Sequence, residues 1–396
     1  MLTGNCRQAG KHRWISVIDD ANGGALNDNL RYWVGFSKVA GIGPARLRRL
    51  LDYYGQIKDA WLANPGELRA IGLDKRSVEN LVQVRNQLDL EDELEKLTKL
   101  KVAVITWESP NYPQILKNLH HPPPILFVRG NLTAQDDWAL AVVGTRRATV
   151  YGKDCTRFFV HGLVENQITV VSGLAYGIDT EAHQTAINAG GRTLAVLGSG
   201  VDVIYPAENR KLGEAIVAQG ALISEYPLGT KPEASNFPQR NRIISGLSLG
   251  TLVVEGAIRS GARITVDYAL EQGREVFAVP GPILRKSSEG PNHLIQNGGA
   301  KLVAHVNDIL EELNLTMVAQ QSEARAIIPD NDVEAVLLEQ LSLDPTHVDE
   351  LGQATKLSAA ELASALTLME LKGMVRQVGG MNYVLARETR AEYSIE

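Results

Sequence analysis

Apolar residues along the chain follow two rhythms, and the change between them divides it. From residue 30 to 100 the spacing is helical. VAGIGPARLRRLLDYYG opens on a Gly-apolar-Gly turn and then places Leu47, Leu50 and Leu51 at helical intervals. A weaker copy, LRAIGLDKRSVENLV, has Gly72 in the turn with Val78, Leu81 and Val82 behind it. This predicts an all-α domain over residues 30–100, preceded by a Gly-Asn-Asp-rich leader at 1–29 that is expected to be disordered. Between residues 101 and 314 short apolar runs alternate with amphipathic stretches: VAVITW, ILFVRG, ALAVVG, ITVVSG, TLAVLG, ALISEY, TLVVEG and EVFAVPG. Strands that end at glycine and lead into helices predict βα units, an α/β fold and a mostly parallel sheet. Such sheets bind ligands at the carboxyl ends of their strands. Residues 315–332 lack apolar periodicity and read as a linker. Residues 333–390 read as three short helices and a hairpin, VRQVGGMNYVL, around Gly379 and Gly380, which suggests a winged-helix unit.

Composition narrows the class. The 396 residues are 44% hydrophobic, yet no apolar run reaches the length needed to span a bilayer, so no membrane partner is expected. The first residues carry charges and lack a continuous apolar stretch, which argues against a secretory signal. Cys6 and Cys155 are the only two cysteines, which excludes a disulfide framework or a cysteine-built metal site and fits the cytoplasm. The net charge of -6 disguises its distribution. Residues 330–396 hold 12 acidic and 5 basic residues, a net of -7, so the rest of the chain carries +1. Its basic clusters at 46–49, 146–157 and 231–263 suit a polyanion, whereas the acidic C-terminal unit suits a protein contact better than DNA.

Five motifs carry candidate chemistry. In AGIGPARLRR the Gly41-Ile42-Gly43 turn opens a helix whose free N–H groups suit a DNA phosphate, with Arg46, Arg48 and Arg49 adding charge; a purely structural hairpin fits equally. VVGTRRATVYG ends a buried strand at Gly144 and sets Thr145, Arg146 and Arg147 at the switch into a helix. It is not GxGxxG, so a dinucleotide cofactor is not indicated. VVSGLAYGIDTEAH ends a strand at Ser172 and Gly173; Asp179 reads as a cap and His183 as a packed, hydrogen-bonded residue rather than a metal ligand. TLAVLGSGVDVIYPAEN makes another tight strand-end loop, structural or ligand-lining. In NFPQRNRIISGLS, Phe237 offers a stacking surface, and Asn241 follows between two arginines. Arg240 and Arg242 cannot share a helix face, so one is expected to meet phosphate and the other a carboxylate such as Glu225 or Glu255. Arg259, Ser260 and Gly261 close a further loop before a helix.

AVVGTRRATVYG, SGLAYGIDTEAH, GRTLAVLGSGVDVIYPAEN, ISEYPLGTKP, FPQRNRIISGLS, VVEGAIRSGARIT, VFAVPGPI and LIQNGGAKLV, in this order, resemble the successive signatures of the DprA/Smf family, the DNA-processing proteins of bacterial transformation. The resemblance implies a Rossmann-like central fold between a helix–hairpin–helix (SAM-like) domain and a winged-helix-like domain. It implies a homodimer without cofactor that binds single-stranded DNA, protects it and delivers it to the recombinase RecA. By the same resemblance Arg146 contacts phosphate, Phe237 stacks on a base, and Arg259 lies in the same pocket. Tyr176 stands where many members carry a basic residue, Ala234 where some carry lysine, and Asp267 adds a negative charge near a helix start.

The chain has neither a Walker A sequence nor the clustered carboxylates of a two-metal nuclease, so a non-enzymatic DNA chaperone is the leading reading. The alternative is an enzyme that cleaves nucleoside monophosphates on a related fold, with Glu255 as the catalytic carboxylate. A third reading is a protein-interaction scaffold built on the acidic C-terminal unit.

Overall fold

A computed structural model of the protein describes residues 25–313, 332–341, 346–355, 357–371, 375–377 and 381–385. The chain divides into two compact units, residues 1–309 and 310–396.

The first unit begins with six helices: α1 (Ala25–Ser37), α2 (Pro44–Tyr54), α3 (Ile57–Leu62), α4 (Pro65–Ala70), α5 (Lys75–Gln87) and α6 (Leu90–Lys99). The first helix starts at Ala25, inside the stretch expected to be leader; residues 1–24 lie outside the described residues. Both sequence-read hairpins are present. Their turns need glycine, because Gly41 (φ 93°) and Gly72 (φ 91°) lie in the left-handed region. The arginines offered to DNA also make internal contacts, while Arg48 and Arg49 stay exposed. Arg46 donates to the Gly41 carbonyl and to Ser77 Oγ (2.6 Å) and pairs with Asp74 at 2.6 Å. Arg49 reaches the Gly72 carbonyl at 3.3 Å, and the Arg48 guanidinium lies 4.6 Å from the Trp107 ring centroid. They hold the two hairpins to each other and to the sheet.

A nine-stranded sheet follows, in the order β1-β2-β6-β5-β4-β3-β7-β8-β9. Its strands are β1 (Val102–Thr106), β2 (Ile125–Gly130), β3 (Ala139–Val143), β4 (Thr169–Ser172), β5 (Thr193–Val196), β6 (Ala221–Ser224), β7 (Gly250–Val253), β8 (Glu275–Ala278) and β9 (Lys301–Leu302). The eight apolar runs are β1 to β8; the two-residue β9 carries too little pattern to be read. From β6 to β9 all neighbours are parallel, while β1–β2 and β2–β6 are antiparallel. The short α7 (Gln114–Lys117) lies between β1 and β2. The parallel crossovers are α8 (Val150–Glu165), α9 (Ile178–Asn188), α10 (Arg210–Gln219), α11 (Asn236–Gly246), α12 (Gly261–Glu271) and α13 (Glu289–Gln296). Strands β3 to β7 are buried along their whole length, which explains their unbroken apolar runs.

The expected domain boundary at residue 100 is corrected by packing. The helical segment and one face of the sheet form a single core that joins Trp33, Leu47 and Leu50 to Val102, Phe127, Leu212 and Leu222. Trp33 meets Trp107 edge-on at 6.2 Å between centroids and donates to Glu108 at 3.2 Å. The helices and that face of the sheet therefore bury their apolar side chains in common.

In the second unit, helices Asp332–Gln340, Val348–Thr355 and Ala359–Leu371 pack Leu337, Leu351, Leu362, Leu366 and Met369 around Val375. Strands Val375–Gln377 and Asn382–Leu385 pair in the expected hairpin, with Val375 opposite Leu385 and Gln377 opposite Tyr383. The sequence reading missed a third strand, Thr346–His347, which pairs on the other side of Asn382–Leu385. Of the expected linker only Asp332 lies within the described residues, and it opens a helix.

Candidate nucleic-acid interface

Strands β5, β4, β3, β7 and β8 are parallel neighbours, so their carboxyl ends share one edge of the sheet. The chain lays down β3 to β6 on one side and β7 to β9 on the other. The strand order therefore reverses between β3 and β7, a switch point of the kind at which open α/β sheets bind ligands.

At the end of β3, a Cβ on Gly144 would stand 2.5 Å from Ile178 and 2.9 Å from the Glu255 carbonyl, so only glycine lets the three segments meet. Thr145 donates its N–H to the Glu255 carbonyl at 2.7 Å and accepts from the Ile178 N–H at 3.2 Å. Its hydroxyl accepts from the Arg147 N–H at 3.2 Å. The loop is thus fixed, and it projects Arg146 and Arg147 outward, both exposed. Arg259, in the loop after β7, is exposed as well. Among the described residues no carboxylate lies within ion-pair distance of these three arginines, in contrast to Arg263, which pairs with Asp267 at 2.7 Å. Ser260 stands at the N-cap position of α12 with no side-chain cap bond, and Gly261 opens the helix into free space.

Phe237 is half-buried in the first turn of α11. The guanidiniums of Arg146 and Arg240 each lie 5.8 Å from its ring centroid. Gly198 leaves room for that ring, since a Cβ there would come within 3.0 Å of it, and Asn236 donates to the Gly198 carbonyl at 3.1 Å. Tyr205, in the loop that the sequence left open between a structural and a ligand-lining role, packs against Phe237 with centroids 5.7 Å apart and stays 47% exposed. An aromatic just ahead of a proline turn was the one signal available, and it does not say which ring it meets.

Four of the sequence-read site residues face inward. Ser172 is fully buried and donates to the Val142 carbonyl at 2.6 Å. Gly173 is buried beneath Arg240, where a Cβ would meet the guanidinium at 2.7 Å. Arg240 corrects the expectation of a surface cation: it is 4% exposed and donates to the carbonyls of Gly173 (2.7 Å) and Val196. Burial pushes Arg240 down to about 10 and Asp179 up to about 6, each opposed by the other's charge. Arg242 pairs with Glu225, both largely buried, so neither member of the arginine couple meets solvent freely. Asn241 reaches the Gly261 carbonyl at 3.4 Å and ties α11 to α12. Asp179 caps the β4 loop, accepting from the N–H groups of Gly173 (3.1 Å) and Ala175 (3.4 Å). His183 Nδ1 bonds Thr193 Oγ1 at 2.6 Å, and burial pushes the ring down to about 3.

Glu255, the catalytic candidate of the enzyme reading, is 1% exposed. It accepts from the Thr149 N–H (2.9 Å), the Thr149 hydroxyl (2.7 Å) and Ser287 (3.1 Å). Those bonds make it the brace between the β3 and β8 loops. Among the described residues no cluster of three or more metal-ligating side chains occurs, and no helix is long and apolar enough to cross a membrane.

The sequence model for DNA recombination-mediator protein A matches residues 103–314, and that for the DprA winged helix domain matches residues 321–381. The chain belongs to the DprA family. A protein Smf of Synechocystis sp. is 35% identical over 394 residues, covering 90% of this chain and 99% of its own. The DNA processing protein DprA of Streptococcus pneumoniae is 46% identical over 201 residues, which is 51% of this chain and 71% of the relative. An X-ray structure of DprA from Streptococcus pneumoniae matches with a TM-score of 0.63 at 37% identity, covering 71% of this chain and 97% of that one. A structure of DprA from Helicobacter pylori, described for its single-stranded DNA binding mode, matches with a TM-score of 0.50 at 27% identity, covering 55% of this chain and 97% of that one. In DprA terms the winged-helix match begins at residue 321, inside the stretch read as linker.

Proposed function

We propose that this DprA-family protein binds single-stranded DNA along the strand-end edge, with Arg146, Arg147 and Arg259 on phosphates and Phe237 stacking on a base. The observation that carries the reading is the pairing of three exposed arginines, free of carboxylates, with an aromatic ring 5.8 Å from one of them. Unpaired cations beside a stacking surface are the two parts that sequence-tolerant single-strand binding needs. The open N-terminus of α12 at Ser260 and Gly261 and the backbone of Gly144 and Thr145 complete the phosphate side. Ser172, Gly173, Arg240, Asn241 and Arg242 hold that edge in shape. The Helicobacter pylori relative supports the same ligand.

By family resemblance the chain works in the cytoplasm as a homodimer, without a catalytic step, and passes the bound strand to RecA during transformation. The internal engagement of Glu255 favours this over nucleoside-monophosphate cleavage.

Fluorescence anisotropy with a labelled oligothymidine across salt concentrations tests the site. Arg146→Ala is expected to weaken binding and reduce the log–log salt slope by about 0.7, the contribution of one single-strand phosphate. Phe237→Ala is expected to weaken it about tenfold at unchanged slope, as loss of one stack requires. Wild-type affinity in both variants would refute the placement.

A further inference from the structure

The strand-end edge is chemically lopsided. Along the sheet the order is β5-β4-β3-β7. Loops from β3 and β7 carry Arg146, Arg147 and Arg259, whereas those from β4 and β5 carry Tyr176 and Tyr205, which are 42% and 47% exposed. Tyr205 touches Phe237, with centroids 5.7 Å apart and planes tilted by 42°. At that separation the rings form one surface and not jaws that close on a base. Tyr176 donates its hydroxyl to Glu208 at 2.6 Å, and Glu208 lies three residues after Tyr205 in the same loop. Phe237 and Tyr205 thus form one aromatic pair, and Tyr176 is tied by its hydroxyl to the segment that follows Tyr205.

We propose that Tyr205 and Tyr176 continue the stacking surface begun by Phe237, so that the groove takes bases on its β4–β5 side and phosphates on its β3–β7 side. The proposal rests on the single-strand reading above and deepens it. Charge supports the division. The Glu208 carboxylate beside Tyr176 repels a phosphate but not a base, while the arginines free of carboxylates attract the charged backbone most strongly. The hydroxyl bond holds Tyr176 in one orientation, so little side-chain freedom is left to lose when a base stacks on it. A tyrosine in place of a cation at this position exchanges a backbone contact for a base contact.

The test compares the full-length protein on two fluorescent strands of equal length, oligothymidine and an abasic deoxyribose-phosphate oligomer. Tyr205→Ala and Tyr176→Ala are each expected to weaken oligothymidine binding by about tenfold, with the salt slope unchanged. Their affinity for the abasic strand should match wild type, which also shows that they are folded. Tyr205→Phe should restore what Tyr205→Ala loses. The proposal is overturned if both alanine variants bind oligothymidine as wild type does while Phe237→Ala is impaired, or if the loss is equal on the abasic strand. If the wild-type protein does not bind oligothymidine, the single-strand reading itself is overturned and this proposal with it.

Discussion

Arg240→Met removes the guanidinium that lies buried between the carbonyls of Gly173 and Val196 and opposes the burial of Asp179. Two costs follow. The carbonyls lose a donor, at about 1 kcal/mol or more each. The Asp179 carboxylate loses its compensating charge, but that cost has a ceiling, because the residue can take up a proton. With Asp179 at about 6 in the folded protein, protonating it at pH 7.5 costs ~2 kcal/mol. The substitution is therefore expected to cost ~4 kcal/mol at pH 7.5 and ~2 kcal/mol at pH 5.5, where Asp179 is already largely neutral. Urea unfolding of wild type and variant at both pH values measures this difference, and titrations that Arg240 does not influence cancel; carrying His183→Asn in both proteins removes the one neighbouring ring that it does. The double variant with Asp179→Asn should show no pH dependence in the Arg240 step. A penalty equal at the two pH values, or one that persists in the double variant, would refute the coupling. A stable variant that instead binds oligothymidine with a smaller salt slope would put Arg240 on phosphate after all.

Two further tests probe the frame of the site. His183 is held below its ordinary value of 6.5, at about 3, by burial and by the charge of Arg240. Its contribution to stability is present above pH 6.5 and is lost as pH falls toward 3, because the unfolded chain takes up the proton first. Between pH 7.5 and pH 5 this amounts to ~2 kcal/mol, which should be missing from the difference between the two pH values in His183→Asn; an unchanged difference would count against a neutral buried ring. Gly177 has a φ of 79°, and a Cβ there would stand 2.2 Å from the Thr145 carbonyl. Gly177→Ala is expected to cost ~2–4 kcal/mol in denaturant unfolding, from backbone strain plus displacement of the β3 loop; a loss below 1 kcal/mol would mean that the loop yields freely.

Much of the architecture was legible in the sequence, because it rests on local pattern. Apolar runs such as ALAVVG and TLVVEG read as strands because they are short, rich in valine and end at glycine. Gly41 and Gly72 announced their hairpins, and Gly379 with Gly380 announced the wing. Charge counting along the chain likewise separated an acidic C-terminal stretch from a near-neutral body, without any coordinates. What the pattern did not contain was partner choice. Arg46, Arg48, Arg49, Arg240 and Arg242 look like Arg146 and Arg259 in a sequence. Two of them tie the helical hairpins together, one lies over the Trp107 ring, one is buried against Gly173, and one pairs with Glu225. A guanidinium is available to phosphate only when no carbonyl or carboxylate reaches it first, and that depends on segments dozens of residues away. The same holds for the boundary at residue 100, which vanished because Trp33 and Trp107 meet across it, and for Tyr205, whose neighbour lies 32 positions further on. Sequence alone determined eight strands of the large sheet, the hairpin of the second unit, the glycine turns and the family's order of motifs. Tertiary structure alone decided which charges are spent inside and which remain for a ligand, since burial and pairing are properties of the packed whole.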